Sequence, residues 1–278
     1  MSSLSFLGNS TSYLIIPKSD ALNFGTGDFT IEWYQYQTDS NPYPRIFQVG
    51  SYNEGGISIG VVIERDNLYY WANGNYIFVT FLPSSSYKNK WVHFAICRLN
   101  SVTNFYMDGV SIFSQSDTNN FNDLYDLCIA NQSTPLDQGA FGGYIAYFTW
   151  VKGSATYTSN FTVSNNYPTL TNNHALLLKA NSFNGSLGNT VVNNNVSTIS
   201  NVPPNFLSNN VNNNNTNNTN NSNSNNLNSM YNTNVHFGLR ILPKKSIFTN
   251  NTVFYRKGSL ASGGVGGVRN SSAKSRRT

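Results

Sequence analysis

Charged residues are scarce in this chain, and so are the residues that form disulfide frameworks. Asp, Glu, Lys and Arg together make up 10% of the 278 residues, against about 25% in ordinary globular proteins. Two cysteines are too few to form the disulfide framework of a small disulfide-rich domain. No apolar run approaches the roughly 18 residues of a membrane-spanning helix, and no segment shows helical periodicity.

Both cysteines, Cys97 and Cys128, lie in apolar, strand-like runs. We expect them to be reduced and buried in a core rather than joined in a disulfide. Residues 1–8 lack the basic start and long apolar stretch of a signal peptide. These features predict a protein that is made in a reducing cytoplasm.

Aromatic residues are abundant, at 14% of the chain, and they concentrate in short strand-like segments separated by Gly, Asn, Asp or Ser. The strands predicted in this way are 4–7, 12–16, 28–37, 44–49, 56–63, 68–72, 76–81, 90–98, 104–107, 110–113, 144–151, 175–179 and 190–199. Asn73-Gly74 and Asp108-Gly109 have the composition of two-residue hairpin turns. A further turn is expected at Asp66-Asn67. Many short strands at this spacing predict an all-β sandwich.

Three sequence motifs show a family resemblance. They are residues 28–37 (DFTIEWYQYQ), residues 90–98 (KWVHFAICR) followed by 105–110 (FYMDGV), and residues 142–150 (GGYIAYFTW). In this order they resemble the laminin-G-like, concanavalin A-like jelly roll over residues 1–206. The resemblance implies an antiparallel β-sandwich but not a function, since that fold serves sugar binding, protein binding, hydrolysis and scaffolding. Residues 152–161 (KGSATYTSNF) also resemble a motif that follows the last long strand in jelly rolls of phage and giant DNA virus particle proteins.

Composition divides the chain into three parts: a jelly-roll sandwich (1–206), an Asn-rich linker (207–234) and a basic, partly apolar C-terminal arm (235–278). Residues 205–234 contain 17 Asn in 30 positions, too little apolar surface to offset the entropy of ordering, which predicts a disordered linker. Residues 1–234 hold 8 Lys/Arg and 12 Asp/Glu, a net charge of −4, whereas the arm holds 9 Lys/Arg and no acid. The positive charge is therefore concentrated in the arm.

The arm is expected to be extended and to order on a partner, because it has apolar segments but no core of its own. Its candidate partner-binding residues are Phe237, Arg240, Ile241, Lys244, Lys245, Phe248, Phe254, Arg256, Lys257, Arg269, Arg276 and Arg277. Basic residues alone would suit nucleic acid. The interspersed apolar residues favour docking on other particle proteins, with nucleic acid left as an alternative.

Hydrolases of this fold place carboxylates alternately on one strand, in a Glu-x-Asp-x-Glu pattern. The nearest approach here is Glu64-Arg-Asp66, and the next position on that face is Leu68, so we predict no catalytic residue and no enzyme activity. His93 matches the family's strand histidine and is expected to be a packed residue.

Sugar binding would use exposed aromatic side chains, and the candidate glycan-facing residues are Tyr34, Tyr36, Tyr69 and Trp71. Tyr34 and Tyr36 alternate with the inward-facing Trp33 and are expected to face outward together. No metal site is predicted. Calcium stays an alternative through aspartates in loop-like positions, which are Asp108, Asp117, Asp123, Asp126 and Asp137.

These features predict a non-enzymatic structural protein of a virus particle, either a minor capsid or a capsid-associated protein. The jelly roll would be its interaction module and the arm its anchor to other capsid proteins, and it would be located in the virion after synthesis in the host cytoplasm. Two alternatives remain open: a glycan-binding, lectin-like attachment module and, third, a glycoside hydrolase of the same fold.

Overall fold

Two antiparallel β-sheets pack face to face in the computed structural model, which describes residues 1–51, 56–122, 125–132, 139–180 and 190–207. In chain order the strands are β1 (Ser3–Leu7), β2 (Tyr13–Ile16), β3 (Phe29–Gln37), β4 (Arg45–Ser51), β5 (Gly56–Glu64), β6 (Asn67–Ala72), β7 (Asn75–Phe81), β8 (Trp91–Leu99), β9 (Val102–Met107), β10 (Val110–Ser116), β11 (Leu127–Ile129), β12 (Gly142–Lys152), β13 (His174–Lys179), β14 (Val192–Asn194) and β15 (Ser197–Ile199). A 3₁₀ helix (Asp20–Leu22) and two four-residue helices, α1 (Ser84–Tyr87) and α2 (Pro204–Leu207), complete the described part. The sequence-based prediction of a β-sandwich is confirmed.

The first sheet has the order β10-β9-β8-β3-β12-β1-β15, with β13 also paired to β12. The second sheet has the order β14-β2-β11-β4-β5-β6-β7. Because side chains alternate along each strand, every strand sends one set inward to the shared core and the other set to the outer face of its sheet. None of the three short helices in the described ranges could span a membrane.

Aromatic rings fill the space between the sheets. Trp33 of β3 stacks on Phe94 of β8, with ring centroids 5.4 Å apart, and meets Phe47 of β4 edge-on at 5.8 Å. Phe148 and Trp150 of β12 continue this cluster. All five side chains are buried. Phe29, Ile31 and Trp33 of β3 all belong to this core, so the alternation of β3 predicted from the sequence is confirmed on its inner side.

Two hairpins lie where their turn residues indicated. Asn73 and Gly74 connect β6 to β7, and Asp108 and Gly109 connect β9 to β10; all four residues have positive φ, as a two-residue turn of this kind requires. The expected turn at Asp66-Asn67 is shifted by one residue. Arg65 and Asp66 adopt the positive φ values, and Asn67 begins β6.

The last predicted strand, 190–199, is also different in the structure. It is broken at Asn195, which has a φ of 51°, and its two halves join different sheets. β14 pairs with β2 in the second sheet, whereas β15 pairs with β1 in the first. A turn between them transfers the chain from one layer of the sandwich to the other.

A buried arginine joins the loops at one end of the sandwich. Arg98 of β8 is fully buried, and its guanidinium donates hydrogen bonds to the carbonyl oxygens of Gly25, Gly27 and Asn119 at 2.6–2.9 Å. Its Nη1 lies 3.8 Å from Asp117 Oδ1. The guanidinium also lies 4.9 Å from the ring centroids of Phe29 and Phe121.

The outer face of the first sheet is covered by the chain itself. Residues 153–173, which we call the strap, follow β12 and pack back over this face. Phe161 stacks on Tyr157 at 3.5 Å and contacts Tyr106 at 5.4 Å. Phe161 N–H donates to the Gly109 carbonyl at 2.9 Å, and a Cβ on Gly109 would lie 2.0 Å from the Phe161 carbonyl oxygen. Glycine is therefore needed at 109 both for the turn and for the approach of the strap.

Candidate functional site

The outer face of the second sheet carries a cluster of aromatic side chains, formed by Tyr69, Trp71, Tyr76 and Phe78, which we call the aromatic face. β6 and β7 are antiparallel neighbours, with Tyr69 opposite Phe78 and Trp71 opposite Tyr76. Leu68 and Tyr70 of β6 alternate with these residues and point into the core. The pleat of the β6–β7 hairpin thus places four aromatic rings side by side.

The rings of this cluster are in mutual contact yet remain accessible. Tyr76 stacks on Tyr69 with centroids 4.2 Å apart, and it lies 4.6 Å from Trp71. Phe78 meets Tyr69 edge-on at 5.7 Å. Tyr76 is 42% exposed and Phe78 51% exposed, whereas Trp71 is only 4% exposed. Tyr76 and Phe78 therefore form the solvent-facing surface, and Trp71 supports it from below.

Polar and charged groups lie beside the aromatic face. The Tyr76 hydroxyl donates to Glu64 Oε2 at 2.7 Å, and Arg65 Nη2 donates to the Tyr43 hydroxyl at 2.7 Å. The Arg45 guanidinium lies 5.8 Å from the Trp71 ring centroid, and its Nε donates to Gln48 Oε1 at 2.9 Å. The surface therefore combines apolar rings with hydrogen-bond donors and acceptors within a few ångströms.

Of the four candidate glycan-facing residues, Tyr69 and Trp71 belong to this surface, while Tyr34 and Tyr36 lie on the other sheet. The expectation that Tyr34 faces solvent is wrong, because Tyr34 is 5% exposed. Its side chain does point away from the core, but Phe206 packs on it edge-on at 5.5 Å. Tyr36 is half-buried beside Trp91 at 5.7 Å.

Tyr34 also lines a cavity of about 580 Å³ together with Trp91, Asp108 and Pro203. Burial raises the pKa of Tyr34 to about 12, with Asp108 and Glu32 adding to the shift. This phenol consequently stays protonated at neutral pH.

Sequence reasoning missed Tyr76 and Phe78. A signal for them exists, since the Asn73-Gly74 turn fixes which residues of β6 and β7 face each other. Counting outward from that turn places Tyr76 opposite Trp71 and Phe78 opposite Tyr69, and the register shifts only beyond this point, between Leu68 and Tyr69. Both residues could therefore have been assigned to the face of Tyr69 and Trp71 by counting from the turn.

A second polar group lies beneath the strap. Glu32 of β3 is 6% exposed, and its Oε2 accepts a hydrogen bond from the Tyr157 hydroxyl at 2.7 Å. His93 Nε2 of β8 lies 3.3 Å from the same oxygen. Burial, followed by the charge of Glu32, raises the pKa of Tyr157 well above its ordinary value. His93 is fully buried, as expected of a packed strand histidine.

The loop aspartates that the structure describes have structural partners. Asp108 accepts from His93 N–H at 2.9 Å, and Asp126 accepts from Lys18 N–H at 2.9 Å. Asp117 accepts from Thr103 Oγ1 at 2.7 Å. Within the described ranges, no group of three or more His, Cys, Asp or Glu side chains is placed to hold a metal ion. Asp123 and Asp137 lie outside the described residues.

Cys97 and Cys128 are both buried free thiols, in agreement with the expectation from their sequence context. Burial raises the pKa of Cys97 to about 11, against the opposing hydrogen bond with Thr30. The proposed linker beyond residue 207 and the whole arm, including its twelve candidate residues, lie outside the described residues.

Comparison with known proteins identifies relatives of this sandwich. The family model described as the concanavalin A-like lectin/glucanases superfamily matches residues 7–158. A Bacteroides ovatus protein named for a proposed carbohydrate-binding function has a TM-score of 0.50 and 16% identity, covering 71% of this chain and 59% of that one. No curated protein sequence matches this chain.

Two further solved structures are more distant. Domains LG4–5 of the mouse laminin alpha1 chain have a TM-score of 0.42 and 14% identity, covering 58% of this chain and 45% of that one. Domain 4 of AbnA, an extracellular arabinanase from Geobacillus stearothermophilus solved with arabinotriose, has a TM-score of 0.42 and 14% identity, with coverages of 55% and 72%. The chain thus covers less than two thirds of the Bacteroides and laminin chains.

Proposed function

The chain belongs to the concanavalin A-like lectin/glucanase superfamily, and on that basis we propose that it is a non-catalytic carbohydrate-binding module whose ligand lies on the aromatic face. The observation that carries this proposal is the pair of exposed rings, Tyr76 and Phe78, which form one cluster with Tyr69 and Trp71. Exposed aromatic clusters of this kind are unusual on a surface without a partner. The Bacteroides ovatus protein, named for carbohydrate binding, supports the shared fold alone.

The chemistry of the surface suits a sugar ring. A pyranose has one face of C–H groups, which packs on an aromatic ring, and an edge of hydroxyls, which need donors and acceptors. Tyr76 and Phe78 supply the rings, while Glu64 and Arg65 lie close enough to bond to hydroxyls. This combination of apolar contact with a few placed polar groups is typical of small-ligand sites.

Trp71 and Tyr69 hold the two exposed rings in position. Tyr76 is packed against both of them, and its hydroxyl is held by Glu64. A ring that is already ordered loses little rotamer entropy when a ligand binds, which raises affinity. The face is therefore preorganised for a flat, hydroxylated ligand.

The test is binding of the full chain to a panel of immobilised glycans, followed by titration of the best ligand. Tyr76→Ala and Phe78→Ala are each expected to weaken binding by about tenfold, or ~1.4 kcal/mol, because each removes one contact ring. Phe81→Ala is the matched control, since Phe81 is an exposed aromatic residue (62%) of the same strand outside the cluster. An equal loss of glycan affinity in the Phe81→Ala control would reject the aromatic face as the site. Glycan binding that survives both Tyr76→Ala and Phe78→Ala would reject it as well.

A structural role in a virus particle is a second proposal, supported by the motif at residues 152–161 and by the basic arm. It places the protein in the virion with capsid proteins as partners, and it is compatible with glycan attachment by the sandwich. The absence of enzyme activity likewise stays a prediction. Carbohydrate binding is our first choice because it rests on described side chains.

A further inference from the structure

A cavity of about 550 Å³ lies under the strap, on the sheet opposite to the aromatic face. Glu32 of β3, Tyr147 of β12 and His174 of β13 line it on one side, and Tyr157 belongs to the strap. The remaining lining is largely hydroxyl and amide side chains, including Thr156, Ser164, Asn166, Thr169, Thr171 and Asn173. Most of these are exposed, so the cavity opens to solvent. Its volume is in the range of small-molecule sites.

Glu32 is the one carboxylate in this lining, and only half of its hydrogen-bonding capacity is used. Its side chain is 92% buried, since 8% remains exposed. Oε2 accepts from the Tyr157 hydroxyl and contacts His93; both of these contacts of Glu32 with described residues are made by Oε2, and none is made by Oε1. A carboxylate can accept about four hydrogen bonds. The free oxygen is therefore available to a donor in the cavity.

The charge of Glu32 also lacks a permanent counter-ion. Neither of the ion pairs formed by described residues brings a lysine or arginine to Glu32. His93 is the near neighbour, but its Nδ1 is buried without a partner. The other ring nitrogen, Nε2, faces Oε2 of Glu32 and not Oε1, so Oε1 remains open to a donor in the cavity.

These features select the ligand. An uncompensated carboxylate oxygen favours a donor that carries positive charge, and the Tyr147 and Tyr157 rings beside it favour a cation further. The surrounding hydroxyls and amides of the strap suit a ligand that itself carries hydroxyl groups. We propose that the cavity binds a small polyhydroxylated primary ammonium, the chemistry of an amino sugar, with Glu32 receiving its ammonium group.

The test uses the full chain and three soluble probes, glucosamine, N-acetylglucosamine and glucose, titrated by calorimetry or protein-observed NMR. We expect glucosamine to bind at least about tenfold more tightly than the other two, because acetylation or replacement of the amine removes the charge. Glu32→Gln is expected to abolish that preference. Equal binding of glucosamine and glucose, or no binding of glucosamine, would overturn the proposal.

A second variant covers the case in which Glu32→Gln fails to fold. Thr169→Arg changes an exposed residue of the rim and places a cation in the cavity, so it is expected to weaken glucosamine binding about tenfold or more without disturbing buried contacts. Undiminished binding in this variant would place glucosamine elsewhere and reject the site. Phe81→Ala, which changes an exposed residue outside both sites, is expected to leave glucosamine binding unchanged.

Discussion

Replacement of Arg98 by methionine is expected to remove a large part of the stability of the sandwich. Methionine keeps the apolar stem between Phe29 and Phe121, so the change isolates the guanidinium. Three carbonyl oxygens, of Gly25, Gly27 and Asn119, lose a charged donor. Asp117, which is 4% exposed, is left as a buried carboxylate without its cation.

The magnitude follows from these losses. Removing one partner of a buried ion pair costs about 3–5 kcal/mol, because the remaining charge is uncompensated. The three carbonyls belong to loops that can in part turn toward water, so their individual penalties of about 1–3 kcal/mol do not add in full. We therefore expect a loss of about 3–5 kcal/mol in the free energy of unfolding, against a total of about 5–15 kcal/mol for a typical domain.

The assay is urea unfolding of the full chain, followed by tryptophan fluorescence. Arg65→Met is the control, because Arg65 is an exposed arginine whose bond to Tyr43 lies at the surface; its effect should stay within about 0.5 kcal/mol. The double variant Arg98→Met with Asp117→Asn should recover part of the loss, since it removes the unpaired carboxylate. A loss for Arg98→Met that matches the control would refute the reasoning.

Two further predictions concern acid stability and the arm. Burial lowers the pKa of His174 below 6.5, although Glu32 acts against this, and the His174 Nδ1 accepts hydrogen bonds from Thr171 N–H and Oγ1. As the pH falls below 6.5, the unfolded chain binds a proton that the folded chain resists, so the free energy of unfolding should decrease. His174→Asn should therefore flatten the pH dependence of unfolding midpoints measured between pH 7 and pH 5. Identical pH profiles for the two proteins would contradict this. Deletion of residues 235–278 should reduce incorporation into particles if the arm is the anchor, and incorporation at the level of the intact protein would dismiss the virion role.

Local chemistry made the strands and hairpins predictable. The alternation in residues 28–37 and the Asn73-Gly74 and Asp108-Gly109 turns act over two to ten residues, so the sequence alone determined where chain segments extend and reverse. The turn between β5 and β6 was misplaced by one residue because Arg65, Asp66 and Asn67 offer no glycine to mark the positive φ.

The functional surfaces depend on contacts that no local pattern contains. Tyr34 alternates outward as the sequence indicated, yet it is buried because Phe206, more than 170 positions later, returns to cover it. Tyr76 and Phe78 pair with Trp71 and Tyr69 in the register that the Asn73-Gly74 turn sets, but their exposure depends on what packs over the second sheet, which the hairpin itself does not contain. The cavity around Glu32 exists because the strap crosses a sheet assembled from distant segments. Which outward side chains meet solvent is decided by what packs over each sheet, and that is a property of the tertiary structure.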